Sequence, residues 1–134
     1  MGAARRTLVK LLAALFVGAG VTHFTVPGFY AHMVPPYLPA PWTLVYVSGV
    51  CEIVLGVLLL VPATRRLAAW GLVLLLFAVF PANVHMAVNH VGFVDAPAWL
   101  PQPTPLGLWL RLPLQGVLVA WAWTFTRDDE VALV

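Results

Sequence analysis

The chain has little charge and a single cysteine. Only 9% of its 134 residues are charged, seven Lys and Arg and five Asp and Glu, against about 25% in an ordinary soluble domain. With 62% hydrophobic residues, this composition excludes a disordered chain and a water-soluble enzyme. The lone Cys51 excludes an internal disulfide, a thiol–disulfide relay within one chain and a cysteine-rich metal site. The sequence therefore predicts one integral membrane domain in a lipid bilayer.

Four apolar stretches are long enough to cross a membrane, since a hydrocarbon core of about 30 Å takes about 20 apolar helical residues. They run from about Thr7 to Val26, Trp42 to Val61, Leu67 to Asn89 and Leu106 to Thr126. The first also has the basic start of a signal peptide, but it is long enough to span and no clear A-x-A site follows it. We expect an all-α fold, in which residues 1–134 form a single transmembrane four-helix bundle.

The basic residues indicate the direction of the spans. They lie before or at the start of the first span, in the second connection and after the fourth span, as Arg5, Arg6, Lys10, Arg65, Arg66 and Arg127, whereas connections 28–41 and 90–105 contain none. The positive-inside rule places both termini in the cytoplasm, with the chain in the plasma (inner) membrane and these two connections outside. Their prolines and aromatic residues predict an interfacial belt or a lid. Separate basic clusters argue against a nucleic-acid partner.

Polar side chains within the spans are the candidates for a site, because such residues are rare and usually face protein. The main candidates for a ligand pocket are His23, Glu52, Asn83, Arg111 and Gln115, and the secondary ones are Ser48, His85 and Asn89. At about 1.5 Å per residue, Glu52 lies about 15 Å below Trp42, near the midplane, and the other four main candidates lie in the outer half. We expect one polar pocket that opens toward the outside.

Glu52 is expected to face the bundle. Ser48 and Gly56 lie one turn on either side of it, and small residues mark faces where helices pack closely. We therefore expect Glu52 close to His23 or Arg111, either as a hydrogen bond that fixes packing or as a proton-carrying group. The same two interpretations apply to His23, since imidazole titrates near neutral pH.

Arg111 and Gln115 are four residues apart and share one helix face. Arg111 either extends to the outer surface or binds a buried partner, for which Glu52 or an anionic ligand is the candidate. The second interpretation explains better why an arginine lies on the side that otherwise lacks positive charge. Gln115 supplies both a donor and an acceptor.

Pro81 is expected to kink the third span just before Asn83. Asn83 and His85 are two residues apart, so only one of them can face the pocket, and the sequence leaves open which. This geometry argues against a haem held by His23 and His85. It also argues against a zinc site built from these histidines and Glu52, so no metal is predicted.

Four strings resemble the DoxX-like family of small bacterial four-span membrane proteins: HFTVPGFYAHMVPPYLPAP, LVYVSGVCEIVLGVLLLVP, AAWGLVLLLFAVFPANVHMAVN and LWLRLPLQGVLVAWAW. The resemblance covers residues 23–123 and implies a bundle of four transmembrane helices. It implies a polar set of His23, Glu52, Asn83, Arg111 and Gln115, in which His85 has no counterpart. The family's namesake is a small subunit of a thiosulfate:quinone oxidoreductase, and other relatives are linked to redox-stress complexes or membrane-protein assembly. The namesake works beside a second subunit that this sequence does not show, so its thiosulfate activity is not transferred.

Three classes of function remain. The first is the membrane subunit of a quinone-linked oxidoreductase system, in which His23, Glu52 and Gln115 bind and protonate a quinone. The second is a non-enzymatic binding or assembly protein that holds a small apolar molecule, a lipid or a partner helix. The third is a purely structural bundle. The sequence has no flavin, haem or iron–sulfur motif, so electrons would come from a redox partner subunit or with the substrate. Enzyme status, catalytic residues and a homo-oligomeric state stay open.

Overall fold

The computed structural model describes residues 2–94 and 96–127. These residues form five helices: α1 (Ala3–Thr25), α2 (Pro27–Ala31), α3 (Pro41–Leu60), α4 (Arg65–Asn89) and α5 (Pro105–Trp123). All but α2 are long and apolar enough to cross a membrane. The structure therefore confirms the predicted all-α fold with four membrane-spanning helices.

The long helices begin earlier than the predicted spans, because a helix can continue beyond the apolar stretch that hydropathy detects. Proline forms the first residue of α3 and α5, where its fixed φ suits the helix and its missing N–H costs nothing. Thr104 caps α5, since its Oγ1 accepts a hydrogen bond from the N–H of Gly107 at 3.0 Å. The helix α5 ends at Trp123, whereas the predicted span ended at Thr126. The Thr126 hydroxyl donates a hydrogen bond to the Trp123 carbonyl oxygen.

The two ends of the bundle differ in what they carry. The start of α1 meets the segment after α5, because Arg5 Nη1 donates to Thr124 O at 3.0 Å and its guanidinium lies 4.8 Å from the Phe125 ring centroid. Residues 61–64 join α3 to α4 at this same end, which we call the basic end. The opposite end, the loop end, carries α2, residues 32–40 and the connection between α4 and α5. A buried cluster draws on all four long helices near the basic end: Leu12, Phe16, Leu59, Leu72 and Ala122.

Helices α1 and α3 approach each other closely through glycines. A Cβ atom on Gly20 would lie 2.7 Å from Gly49 O, and one on Gly49 would lie 2.7 Å from the Cβ of His23. A Cβ on Gly56 would lie 2.8 Å from a methyl group of Val17. Small residues allow such backbone contact within a membrane. The close approach sets the register in which His23 lies beside Glu52.

Helices α3 and α4 are in contact near the basic end and separated toward the loop end. Near the basic end, a Cβ atom on Gly71 would lie 2.7 Å from a methyl group of Leu55. Toward the loop end, side chains of both helices line a cavity instead. This separation positions the candidate site.

Candidate functional site

A cavity of about 410 Å³ lies between α3 and α4 in the half of the bundle nearest the loop end. Each helix contributes residues at helical spacing, so one face of each forms a wall. The lining includes Val45, Ser48, Cys51 and Glu52 from α3, and Leu75, Val79, Ala82, Asn83 and Met86 from α4. His23 of α1, Tyr30 of α2 and Arg111 of α5 complete it. The cavity is therefore largely apolar, with a few polar side chains.

The segment 33–38 covers the cavity toward the loop end. Met33, Val34, Pro35 and Leu38 belong to the lining, and both Met33 and Pro35 are buried. Met33 packs in a second buried cluster with Met86 and Leu108. Prolines prevent a regular helix here and stiffen the segment. We call residues 33–38 the roof, since they lie over the site as the lid interpretation of this connection predicts.

The cavity reaches the lipid-facing surface between α3 and α4. Val47 of α3 belongs to the lining and is 55% exposed, and Ala78 of α4 is also an exposed lining residue. Exposed apolar side chains on a spanning helix contact lipid rather than water. These two lining residues therefore face the hydrocarbon of the bilayer. Leu38 of the roof is a further lining residue that is 39% exposed, and it lies at the loop end, the end toward which the sequence predicted the opening.

His23 and Glu52 form a largely buried polar contact at the cavity, with side chains 10% and 13% exposed. His23 Nδ1 lies 2.7 Å from the Ala19 carbonyl oxygen and 3.3 Å from Glu52 Oε2. Glu52 Oε2 is buried and has no hydrogen-bond partner among the described residues. This geometry confirms that Glu52 faces the bundle beside His23.

Tyr30 fixes the His23 ring, a role that the sequence did not reveal. The two rings are stacked, with centroids 3.8 Å apart and planes 14° apart. The Tyr30 hydroxyl lies 2.6 Å from Thr22 Oγ1. The helix α2 folds Tyr30 back onto α1, and Pro27 at the first position of α2 is the sequence signal for that short helix.

Asn83 faces the cavity, and Gln115 holds it there. Asn83 Nδ2 donates to Gln115 Oε1, and Gln115 Nε2 donates to the Leu76 carbonyl oxygen. Gln115 is only 4% exposed and is not part of the cavity lining. Its place in the structure is therefore behind the site, where it orients Asn83.

Arg111 lies in the cavity wall, where the described part of the chain supplies no counter-ion. Its Nη1 donates to Met86 Sδ at 3.9 Å, and it makes no ion pair within residues 2–94 and 96–127. The expectation that Glu52 pairs with Arg111 is wrong. The close approach of α1 and α3 places the Glu52 carboxylate beside His23 instead. The Met86 contact directs the guanidinium toward α4 and the cavity.

Of the three secondary candidates, one lines the cavity and two lie outside it. Ser48 lines the cavity, and its hydroxyl donates to the Val45 carbonyl at 3.0 Å. His85 and Asn89 lie outside the lining and contact each other, with His85 Nδ1 2.9 Å from Asn89 Nδ2. This settles which of Asn83 and His85 faces the cavity. The described part of the chain brings no three His, Cys, Asp or Glu side chains together in a metal-binding arrangement.

The four spanning helices and the largely apolar cavity between α3 and α4 define an integral membrane helical bundle. The chain belongs to the family described as a domain of unknown function (DUF8561), which matches residues 12–126. Comparisons with curated proteins and with solved structures found no match.

Proposed function

We propose that this protein is a DoxX-like, membrane-embedded quinone-binding subunit of an oxidoreductase system. The observation that carries the proposal is a cavity with lipid-facing lining residues on α3 and α4, in which Arg111 has no ion-pair partner among the described residues. The cavity, about 410 Å³, falls within the range of about 300–1,000 Å³ typical of small-molecule sites. Its apolar walls suit an isoprenoid-type lipid molecule, and its polar groups suit a head that carries oxygen atoms.

Arg111 supplies the strongest argument for such a ligand. A cation within a membrane is costly unless a partner compensates it, and no carboxylate does so among the described residues. A quinone oxygen would accept hydrogen bonds from the guanidinium, while the quinone tail would leave between Val47 and Ala78. His23 and Glu52 lie on the α1 side of the same cavity, where they could exchange a proton with the ligand.

Electrons would come from a redox partner subunit, since the proposal assigns this chain only quinone binding and proton exchange. By the positive-inside rule, the basic end faces the cytoplasm of a bacterium, both termini included, and the roof faces the outside of the inner membrane. Cysteines placed at Ala31 and Ala98 in a Cys51→Ala background should react with a membrane-impermeant maleimide on intact cells. A cysteine at Ala63 should react only after lysis, and labelling of that position on intact cells would reverse the orientation.

Quinone binding is tested on the purified protein in nanodiscs. Short-chain ubiquinone and menaquinone analogues are titrated while tryptophan fluorescence reports occupancy. We expect saturable binding that Arg111→Lys weakens, because lysine lacks the two-pronged planar donor group. Arg6→Lys, an exposed arginine at the basic end, is the matched control and should bind as the wild type does.

A second candidate is a non-enzymatic lipid-binding protein, which the suitability of Arg111 for a phosphate group favours. Native mass spectrometry of the nanodisc-extracted protein separates the two. Retained quinone supports the proposal. A retained phospholipid that Arg111→Lys releases, with no saturable quinone binding, replaces it with lipid binding, and an empty cavity that binds neither leaves a structural bundle.

A further inference from the structure

The hydrogen atoms around His23 are fixed by its neighbours. His23 Nδ1 lies 2.7 Å from the Ala19 carbonyl oxygen, which can only accept a hydrogen bond. Nδ1 therefore carries the hydrogen. In a neutral imidazole the other nitrogen, Nε2, is then an acceptor.

Nε2 is the histidine atom that a ligand can reach. It lies on the far edge of the ring from Nδ1, in a side chain that lines the cavity. It makes no hydrogen bond within residues 2–94 and 96–127. Stacking on Tyr30 holds the ring plane, so the direction of this lone pair is set before a ligand arrives.

Asn83 presents a second acceptor. Its Nδ2 donates to Gln115 Oε1, which leaves Oδ1 on a side chain that lines the cavity. Nothing among the described residues donates to that oxygen. The cavity therefore holds two neutral acceptors, His23 Nε2 and Asn83 Oδ1.

The hydroxyl donors beside the cavity are already used. The Ser48 hydroxyl donates to Val45 O, and the Thr22 hydroxyl donates to Ala19 O. Since the Thr22 hydrogen is directed to Ala19, the Tyr30 hydroxyl must be the donor in its contact with Thr22. Arg111 is then the charged donor left to the ligand in the described lining, beside the second Nδ2 hydrogen of Asn83 and the carboxyl group of Glu52, which donates only when it is protonated.

We infer that, if the cavity binds a quinone-type ligand as proposed above, it prefers the reduced quinol form. A quinone has only acceptor oxygens, so it can accept from Arg111 but leaves His23 Nε2 and Asn83 Oδ1 without a donor. A quinol has two hydroxyl groups that donate as well as accept, so it can give a hydrogen bond to His23 Nε2 or Asn83 Oδ1 and still accept one from Arg111. The preference for quinol over quinone thus depends on His23 and Asn83, whereas Arg111 donates a hydrogen bond to either form.

Three probes with the same tail and the same ring carbon skeleton test this inference on the wild-type protein in nanodiscs: decylubiquinone, decylubiquinol and the dimethyl ether of decylubiquinol, or the corresponding menaquinone analogues if these bind more tightly. We expect the quinol to bind about tenfold more tightly than the other two, the effect of one well-formed hydrogen bond. The dimethyl ether keeps the reduced ring but has no hydrogen to donate. By linkage, a tenfold preference raises the midpoint potential of the bound two-electron couple by about 30 mV.

Variants assign the preference to named atoms. His23→Phe keeps a ring to stack on Tyr30 and removes Nε2, so it should abolish the quinol preference, because the quinol affinity falls about tenfold more than the quinone affinity does. Asn83→Leu serves as the second variant and should reduce the preference in the same way. Equal and saturable binding of quinone, quinol and ether by the wild type would overturn the inference and leave the proposed function standing. Absence of saturable binding by all three would instead overturn the proposed function.

Discussion

Gln115 of α5 holds α4 on both sides of Pro81, since it donates to Leu76 O and accepts from Asn83 Nδ2. Pro81 lies inside α4 and has no N–H to offer the Phe77 carbonyl. A helix that loses this bond can bend at the proline. The Gln115 amide spans the proline, so the direction of Asn83 is set by a residue that does not line the cavity.

Gln115→Leu should therefore lower both stability and ligand affinity. The change keeps the volume but removes two buried hydrogen bonds, for which we expect a loss of about 1–2 kcal/mol in the free energy of unfolding. Gln102→Leu is the matched control, because Gln102 also makes two hydrogen bonds, to the backbone of Phe93, at an exposed position away from the cavity. Thermal melts in detergent and quinone titrations compare them. An equal effect of both variants on affinity would contradict the positioning role of Gln115.

Gly20 and Gly18 of α1 should respond differently to alanine. A Cβ on Gly20 would lie 2.7 Å from the backbone oxygen of Gly49, whereas one on Gly18 has nothing within 4 Å. We expect Gly20→Ala to destabilise the bundle by about 1–3 kcal/mol through overpacking. Gly18→Ala should be neutral or stabilising by up to about 1 kcal/mol, because alanine favours the helix. Melts that rank the two variants in the opposite order would contradict the close packing of α1 on α3.

Double mutants test which charges interact. Arg111→Ala and Glu52→Gln should add within about 0.5 kcal/mol, since the two side chains do not form an ion pair. His23→Phe and Glu52→Gln should be non-additive by more than that, because His23 Nδ1 lies 3.3 Å from the carboxylate. The measurement is the Tm of single and double variants in one detergent. If Glu52→Gln restored the stability lost in Arg111→Ala, the two side chains would interact directly, which would contradict the structure.

The opening between α3 and α4 predicts a kinetic effect. Ala78→Trp places a large ring beside Val47 and should slow association of a quinone analogue, measured by stopped-flow fluorescence. Phe77→Trp is the matched control. Phe77 is next to Ala78 in the sequence, and its side chain is 63% exposed but does not line the cavity. Unchanged association in Ala78→Trp would mean that the ligand reaches the cavity past the roof.

The spans were predictable because a stretch of about 20 apolar residues is long enough to cross the bilayer as a helix. The depth of each polar residue then followed from the rise per residue of a helix. The neighbour of each residue was not predictable in the same way. Glu52 and Arg111 both point inward, but their partners depend on which helices lie side by side. The Gly20–Gly49 contact places α1 against α3, so His23 rather than Arg111 lies beside Glu52. Tyr30 was hidden for a related reason, because it lies in a connection that the sequence assigned to the interfacial belt.

The opening to lipid has a consequence for how any ligand affinity of this protein must be expressed. A molecule that reaches the cavity from the hydrocarbon is present at its concentration per volume of membrane, which for an apolar molecule greatly exceeds its concentration in water. The occupancy then depends on the mole fraction of ligand in the bilayer. Diluting the nanodiscs in buffer should leave occupancy unchanged, whereas adding empty vesicles should deplete it.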